Sequence, residues 1–125
     1  MRLLDKMFIL VSDDDRQVVL RLNPSHPIFQ MHFPGTPITP GTCLVQMLGE
    51  LLERKVGHKL ELKIIVNLKF IRPLSPEESP LLTVVFDSLE TFPPLDTICA
   101  KGIITANEQV ATKFSVIFKF QENSL

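Results

Sequence analysis

The chain has 125 residues, 45% of them hydrophobic and 22% charged, the proportions of a folded globular domain and not of a disordered segment. Thirteen lysines and arginines against fourteen aspartates and glutamates leave a net charge of −1 with no basic block, which argues against a nucleic-acid binder. The apolar run near the start, Met7 to Val11, is too short for a membrane span or a signal-peptide core. Cys43 and Cys99 stand too far apart to form a metal knuckle and read as reduced thiols. One cytoplasmic domain over residues 1–125 is expected, with no metal, no cofactor, no nucleic-acid partner and no membrane partner.

In chain order, two strand-like runs come first, Met7–Val11 and Gln17–Leu22, separated by a turn at Ser12-Asp13-Asp14-Asp15. The proline-rich stretch from Asn23 to Pro40 excludes regular helix and central strand and predicts an ordered loop, with His26 an ordinary part of it. A helix is then predicted over Pro40–Val56. Thr39 caps it, Pro40 suits its first position and Gly57 its left-handed stop, with His58 solvated beyond the exit. Leu44, Leu48, Leu51 and Leu52 form its apolar stripe, and Gln46, Glu50, Glu53 and Arg54 its polar side.

From Leu60 to Phe70 every even position is apolar, the period of a strand. Three more strands are predicted at Leu81–Leu89, Asp96–Thr105 and Val110–Phe120, with a hairpin turn at Ala106-Asn107-Glu108. A helix about 25 Å long must cover strands of up to about 40 Å, so the sheet should curl round it. The apolar residues left over on strand ends and second faces (Ile65, Ile71, Ile103, Ile117) point to a second subunit.

Chemistry concentrates between His26 and Gln46. A rigid loop delivers His32 just ahead of a helix whose first amides, Gly41 and Thr42, lack partners inside the helix. Backed by the helix dipole, those amides suit a carbonyl oxygen that gains negative charge, and a side chain as small as that of Gly41 lets substrate come close. Histidine, with an ordinary pKa of about 6.5, exchanges protons at cellular pH. A base beside an oxyanion site suits enolate chemistry next to a thioester or ester carbonyl.

The segment His32-Phe33-Pro34-Gly35-Thr36-Pro37-Ile38-Thr39-Pro40-Gly41, leading into a helix, resembles the active-site signature of the β-hydroxyacyl-(acyl carrier protein) dehydratases. Lys69-Phe70-Ile71-Arg72-Pro73-Leu74-Ser75-Pro76 is similar to that family's strand and exit loop after the helix, and the resemblance runs from about Leu20 onward. It implies an α+β hot-dog fold, a curved antiparallel sheet wrapped round one long helix. It also implies a homodimer or an assembly of dimers, and a β-hydroxyacyl thioester on acyl carrier protein as substrate and partner. By position, His32 removes the proton alpha to the thioester carbonyl and the Gly41 amide holds the carbonyl oxygen. Met31, Phe33, Pro40 and Thr42 line the substrate, Met31 standing where the family usually has glycine.

The family's acid, which protonates the departing hydroxyl, falls fourteen positions after the histidine, at Gln46. A carboxamide hydrogen-bonds a hydroxyl but cannot deliver a proton. Glu50, one turn further and about 6 Å along the axis, is the nearest carboxyl for that role, with Gln46 orienting the hydroxyl. A bridging water, or His32 performing both transfers, are the other routes. The sequence therefore points to a hydro-lyase of fatty-acid or related acyl or polyene biosynthesis. Two alternatives stay open: a hot-dog thioesterase, and a catalytically impaired acyl-binding subunit of a hetero-oligomeric dehydratase. Lys63, Lys69, Arg72, Lys101, Lys113 and Lys119 read as a solvated face, or as a landing surface for an acidic carrier protein.

Overall fold

The structure, a computed structural model, describes residues 2–31, 39–92 and 96–121, with the backbone alone at Gln30, Met31 and Phe92. Its elements in chain order are β1 (Phe8–Asp13), β2 (Gln17–Leu22), α1 (Ile28–Met31), α2 (Gly41–Val56), β3 (Leu60–Phe70), β4 (Leu81–Phe92), β5 (Thr97–Ala106) and β6 (Gln109–Phe120). The strands form one sheet in the order β1-β2-β4-β5-β6-β3, and every neighbouring pair is antiparallel.

The period of two in the strands becomes one buried face. Val18, Leu20 and Leu22 of β2, Leu82, Val84 and Phe86 of β4, Ile98, Ala100 and Ile104 of β5, and Phe114, Val116 and Phe118 of β6 are all buried. Leu44, Met47, Leu48, Leu51 and Leu52 of α2 join them in the same core. Burial of each large side chain contributes about 1.5–3 kcal/mol. Arg2, just ahead of β1, and Leu60 and Leu62 of β3 line a common cleft, although β1 and β3 are opposite edges of the sheet. The sheet therefore curls round α2, helped by register shifts in four of its five strand pairs.

Because of that curl, the polar side of α2 is not simply solvated. Glu50 is buried along with Val45 and Gly49, so the helix is enclosed nearly all round between Cys43 and Leu52. Its ends differ from each other in how far they match the expectation. Gly57 stops the helix in the left-handed region (φ 67°), donating its N–H to the Glu53 carbonyl at 2.8 Å. At the start, however, Pro40 is the cap and Gly41 the first helical residue, with no side-chain cap bond. Thr39 is diverted: its N–H and its hydroxyl both donate to the Leu74 carbonyl, at 2.8 and 2.9 Å. Thr39 is thus held by a tertiary acceptor one position ahead of the cap.

The loop before α2 also holds one helical turn, α1, which the proline content had argued against. Pro27 precedes it, where a missing N–H costs nothing, and the His26 Nδ1 accepts the Ile28 N–H at 3.1 Å. His58 is half-buried, with its ring edge-on to Phe120. β4 extends to Phe92, beyond the expected Leu89, because Thr91 and Phe92 find ladder partners in Ile98 and Thr97. Asn107 and Glu108 both have positive φ (53° and 64°), as a tight two-residue hairpin between Ala106 and Gln109 requires. Lys55 ties the far end of α2 to the β1–β2 turn through Asp13 Oδ1 and the carbonyls of Asp14 and Asp15, at 3.2, 2.8 and 3.0 Å.

Among the described residues, one buried side-chain polar atom is loose. The Thr112 hydroxyl on β6 is fully buried between Ile104 and Phe70 on the flanking strands and has no hydrogen-bond partner. An unsatisfied buried hydroxyl costs about 1–3 kcal/mol. Thr112→Val keeps the branched shape and removes that penalty, so a gain of about 1 kcal/mol is expected. The urea midpoint measures it, and a midpoint at or below that of the unsubstituted protein would show that the hydroxyl finds a partner in solution.

Candidate active site

The site is organised by the seam between α2 and β3. The helix leaves the inner face of β3 largely uncovered, and two clefts open along that seam. The smaller, about 320 Å³, sits at the helix start and is lined by Pro40 and Gly41 on one side and by Phe70, Arg72 and Leu74 on the other. The larger, about 510 Å³, lies further along, with Thr42, Gln46 and Glu50 of the helix facing Leu60 and Leu62 of β3 and Phe118 of β6.

At the helix start, the Cys43 and Leu44 amides both donate to the Pro40 carbonyl at 3.1 Å. The Gly41 and Thr42 amides precede those bonds and have no acceptor within the helix. No acidic residue lies in the first turn to neutralise the positive end of the dipole. Such a pair of amides binds an oxygen that carries developing negative charge. Gly41 also lies close under the Phe70 ring. A Cβ there would lie 2.9 Å from the Phe70 Cζ, so glycine lets the β3 aromatic close against the helix start. Cys43 is buried at this end, and burial pushes its thiol up, partly opposed by a hydrogen bond with Thr42. It is therefore a packing residue with little thiolate at neutral pH.

One turn on, Gln46 Nε2 donates to Glu50 Oε2 at 3.1 Å. The carboxylate then accepts two backbone amides, Leu3 N–H at Oε2 and Leu4 N–H at Oε1, both at 2.8 Å. Leu3, Leu4, Met7 and Phe8 are themselves buried, so residues 3–8 fold as a turn against the helix, with Glu50 as its anchor. In this arrangement the carboxyl acts only as an acceptor, whereas an acid would have to donate. Glu53 is likewise engaged: its Oε2 accepts the Leu60 N–H at 2.8 Å.

The structure thus brings Thr42, Gln46 and Glu50 to the larger cleft and Pro40 and Gly41 to the smaller, on two sides of one helix start. His32 and Phe33 lie outside the described residues, and Met31 is the last residue of α1, described by its backbone alone. Sequence reasoning missed the Leu3 and Leu4 amides, Arg2, and the part played by Phe70 at Gly41. Backbone donors carry no residue signal, although the even-numbered apolar period of β3 did place Phe70 on the inner face. Among the described residues no three His, Cys, Asp or Glu side chains converge as a metal site would need, and no helix is long and apolar enough to cross a membrane.

Comparison with known proteins bears on the fold and the family. The chain is 25% identical to the 3-hydroxyacyl-[acyl-carrier-protein] dehydratase FabZ of Caldanaerobacter subterraneus subsp. tengcongensis, over 96% of this chain and 87% of the relative. It is 31% identical to the corresponding FabZ of Clostridium acetobutylicum, over 73% of this chain and 67% of the relative. Among solved structures, it superposes on the dehydratase heterocomplex ApeI:P from Xenorhabdus doucetiae with a TM-score of 0.61 at 18% identity, covering 89% of this chain and 96% of that one. The PaaI protein of E. coli, from the phenylacetic acid degradation operon, gives a TM-score of 0.61 at 14% identity, covering 90% and 82%. Those two likenesses show the fold, a hot-dog sheet wrapped round its helix. The model of the ApeI-like family, described as ApeI dehydratase, matches residues 9–96, and the chain belongs to that family of dehydratases.

Proposed function

We propose that this protein removes water from a β-hydroxyacyl thioester carried on acyl carrier protein, in the cytoplasm, as a step of fatty-acid or related acyl or polyene synthesis. Family membership and the names of the FabZ relatives support the reaction class. The observation that carries it to this chain is the uncapped helix start at Gly41 and Thr42, with Gly41 on the smaller cleft and Thr42 on the larger, directly after the segment that bears His32. In this reading His32 takes the proton alpha to the carbonyl, and the Gly41 amide holds the carbonyl oxygen while it carries enolate charge. The Cβ–O bond then breaks, the Cα=Cβ bond forms, and the hydroxyl leaves with a proton as water.

Glu50 is the residue nominated for that last proton, but its oxygens accept from Leu3, Leu4 and Gln46. We therefore assign the return of the proton to the imidazolium of His32. Glu50 holds Gln46, and Gln46 orients the hydroxyl. The chain acts as a homodimer in this reading, supported by the exposed apolar residues Leu62, Ile64, Ile65, Val66 and Phe70 on the free edge strand β3.

One observation favours a second reading, an acyl-binding subunit that requires an active homologue: both carboxyls lining the larger cleft, Glu50 and Glu53, are already bonded to backbone amides. Incubating the purified protein with a β-hydroxyacyl thioester on carrier protein separates the readings. Enoyl absorbance without free thiol is the expected result. Free thiol without enoyl product would make it a thioesterase, and neither product would support the subunit reading.

A further inference from the structure

The helical turn α1 has only four residues, Ile28–Met31, and the next residue in the chain is His32. One turn has no stability of its own, because fixing its dihedrals costs more than its first hydrogen bond returns. Groups outside the turn must therefore hold it. Phe29 is fully buried in the core. The His26 carbonyl accepts the Phe29 N–H at 3.3 Å, and the His26 Nδ1 accepts the Ile28 N–H at 3.1 Å. An acceptor at Nδ1 requires the neutral ring with its proton on Nε2.

His26 is itself held by Asn23, whose carbonyl accepts the His26 N–H at 3.1 Å and whose Oδ1 accepts the Ser25 N–H at 3.1 Å. Asn23 then reaches the turn ahead of β1. Its N–H donates to the Met7 carbonyl at 2.7 Å and its Nδ2 to the Lys6 carbonyl at 2.9 Å. The N–H groups of Lys6 and Met7 donate to the Leu3 carbonyl at 3.0 and 2.8 Å, and the Leu3 N–H donates to Glu50 Oε2 at 2.8 Å. A continuous run of hydrogen bonds therefore joins the Glu50 carboxylate, beside Gln46 on α2, to the turn that ends one residue before His32.

We propose that Asn23 and His26 are positioning residues: they fix α1 against the turn ahead of β1, and through α1 they set where the His32 imidazole stands. This rests on the reading of His32 as the base and adds the residues that aim it. Both act through the turn and not on the substrate. The His26 side chain accepts from the amide two residues on, the bond that an asparagine makes in such a place, as Asn23 does to Ser25. Alanine at position 26 leaves the Ile28 N–H without that acceptor and lets the turn rotate about the buried Phe29. A base displaced by about 1 Å loses about 10²-fold in rate.

Turnover of a β-hydroxyacyl thioester and the NMR signal of the His32 ring, both read on the full chain with thermal melts to confirm folding, test this. His26→Ala and Asn23→Ala are each expected to lower kcat about 10–100-fold with KM within about threefold, since only the base is misplaced. His26→Asn restores the acceptor and should return kcat to within about threefold of the wild type. The double alanine variant should lie within about threefold of the less active single, because both act through one turn. The His32 Cε1–H signal, assigned by its absence from His32→Ala, should move in both alanine variants and stand at its wild-type position in His26→Asn. A folded His26→Ala with wild-type kcat, or a His26→Asn as impaired as His26→Ala, overturns the positioning and leaves the dehydratase reading standing. A wild type without turnover overturns that reading instead. The ring signal then decides the positioning by itself: unmoved in His26→Ala, it overturns this as well.

Discussion

Replacing His32 with alanine is expected to lower kcat/KM for dehydration of a β-hydroxyacyl thioester by about 10²–10⁴, the usual contribution of a positioned general base. The loss should be near the upper end because the described residues hold no substitute. His26 uses its Nδ1 to accept the Ile28 amide. His58 lies beyond the opposite end of α2, about 24 Å from the helix start. Cys43 is close, but burial keeps it protonated. The oxyanion amides are untouched by the substitution, so a residual rate should persist, and KM should change less than kcat. Enoyl formation at 25 °C measures the effect. Full activity in His32→Ala would end the proposed mechanism, whereas complete inactivity of the wild type would return the question to the subunit reading.

Glu50→Ala is expected to destabilise the protein by about 3 kcal/mol. The substitution leaves the buried amides of Leu3 and Leu4 without an acceptor, at about 1–3 kcal/mol each, and removes the bond between Gln46 and the carboxylate. Glu50→Gln should fall between, because a carboxamide keeps one acceptor oxygen where two are in use. Urea denaturation gives the magnitude. Hydrogen exchange at Leu3 and Leu4 supplies a local readout, since both amides should lose protection in Glu50→Ala before the rest of the sheet does. A change under about 0.5 kcal/mol, with those two amides still protected, would mean that the carboxylate does not anchor the turn. The same pair of variants bears on chemistry: if Glu50 were the acid, Glu50→Gln would abolish turnover while the fold stayed intact.

The contrast between Glu50 and Gly57 shows what kind of information each depends on. Gly57 stops α2 through its own backbone and the carbonyl four residues earlier, a relation contained in one helical turn. Glu50 looked like part of a polar helix face because its neighbours Gln46, Glu53 and Arg54 are polar. Its partners, however, are amides 46 and 47 residues away in the chain. Thr39 tells the same story on a smaller scale: a good capping residue by type, it gives its hydroxyl to Leu74, 35 residues on. The β4 extension to Phe92 likewise came from partners on β5 and not from strand composition.

Local periodicity and punctuation were enough to determine one long helix, strands with an apolar face, a hairpin turn between Thr105 and Val110, and a proline-rich histidine segment feeding a helix start. These follow from sterics and side-chain spacing within a few residues, which any neighbourhood of the chain must obey. Only the tertiary structure decided how far the sheet curls. That curl brings the turn ahead of β1 round to the polar side of α2, where two backbone amides occupy the carboxylate that chemistry alone would have nominated as an acid. Which oxygen meets which amide depends on the closure of six strands round one helix, a distance in space that no spacing along the chain encodes.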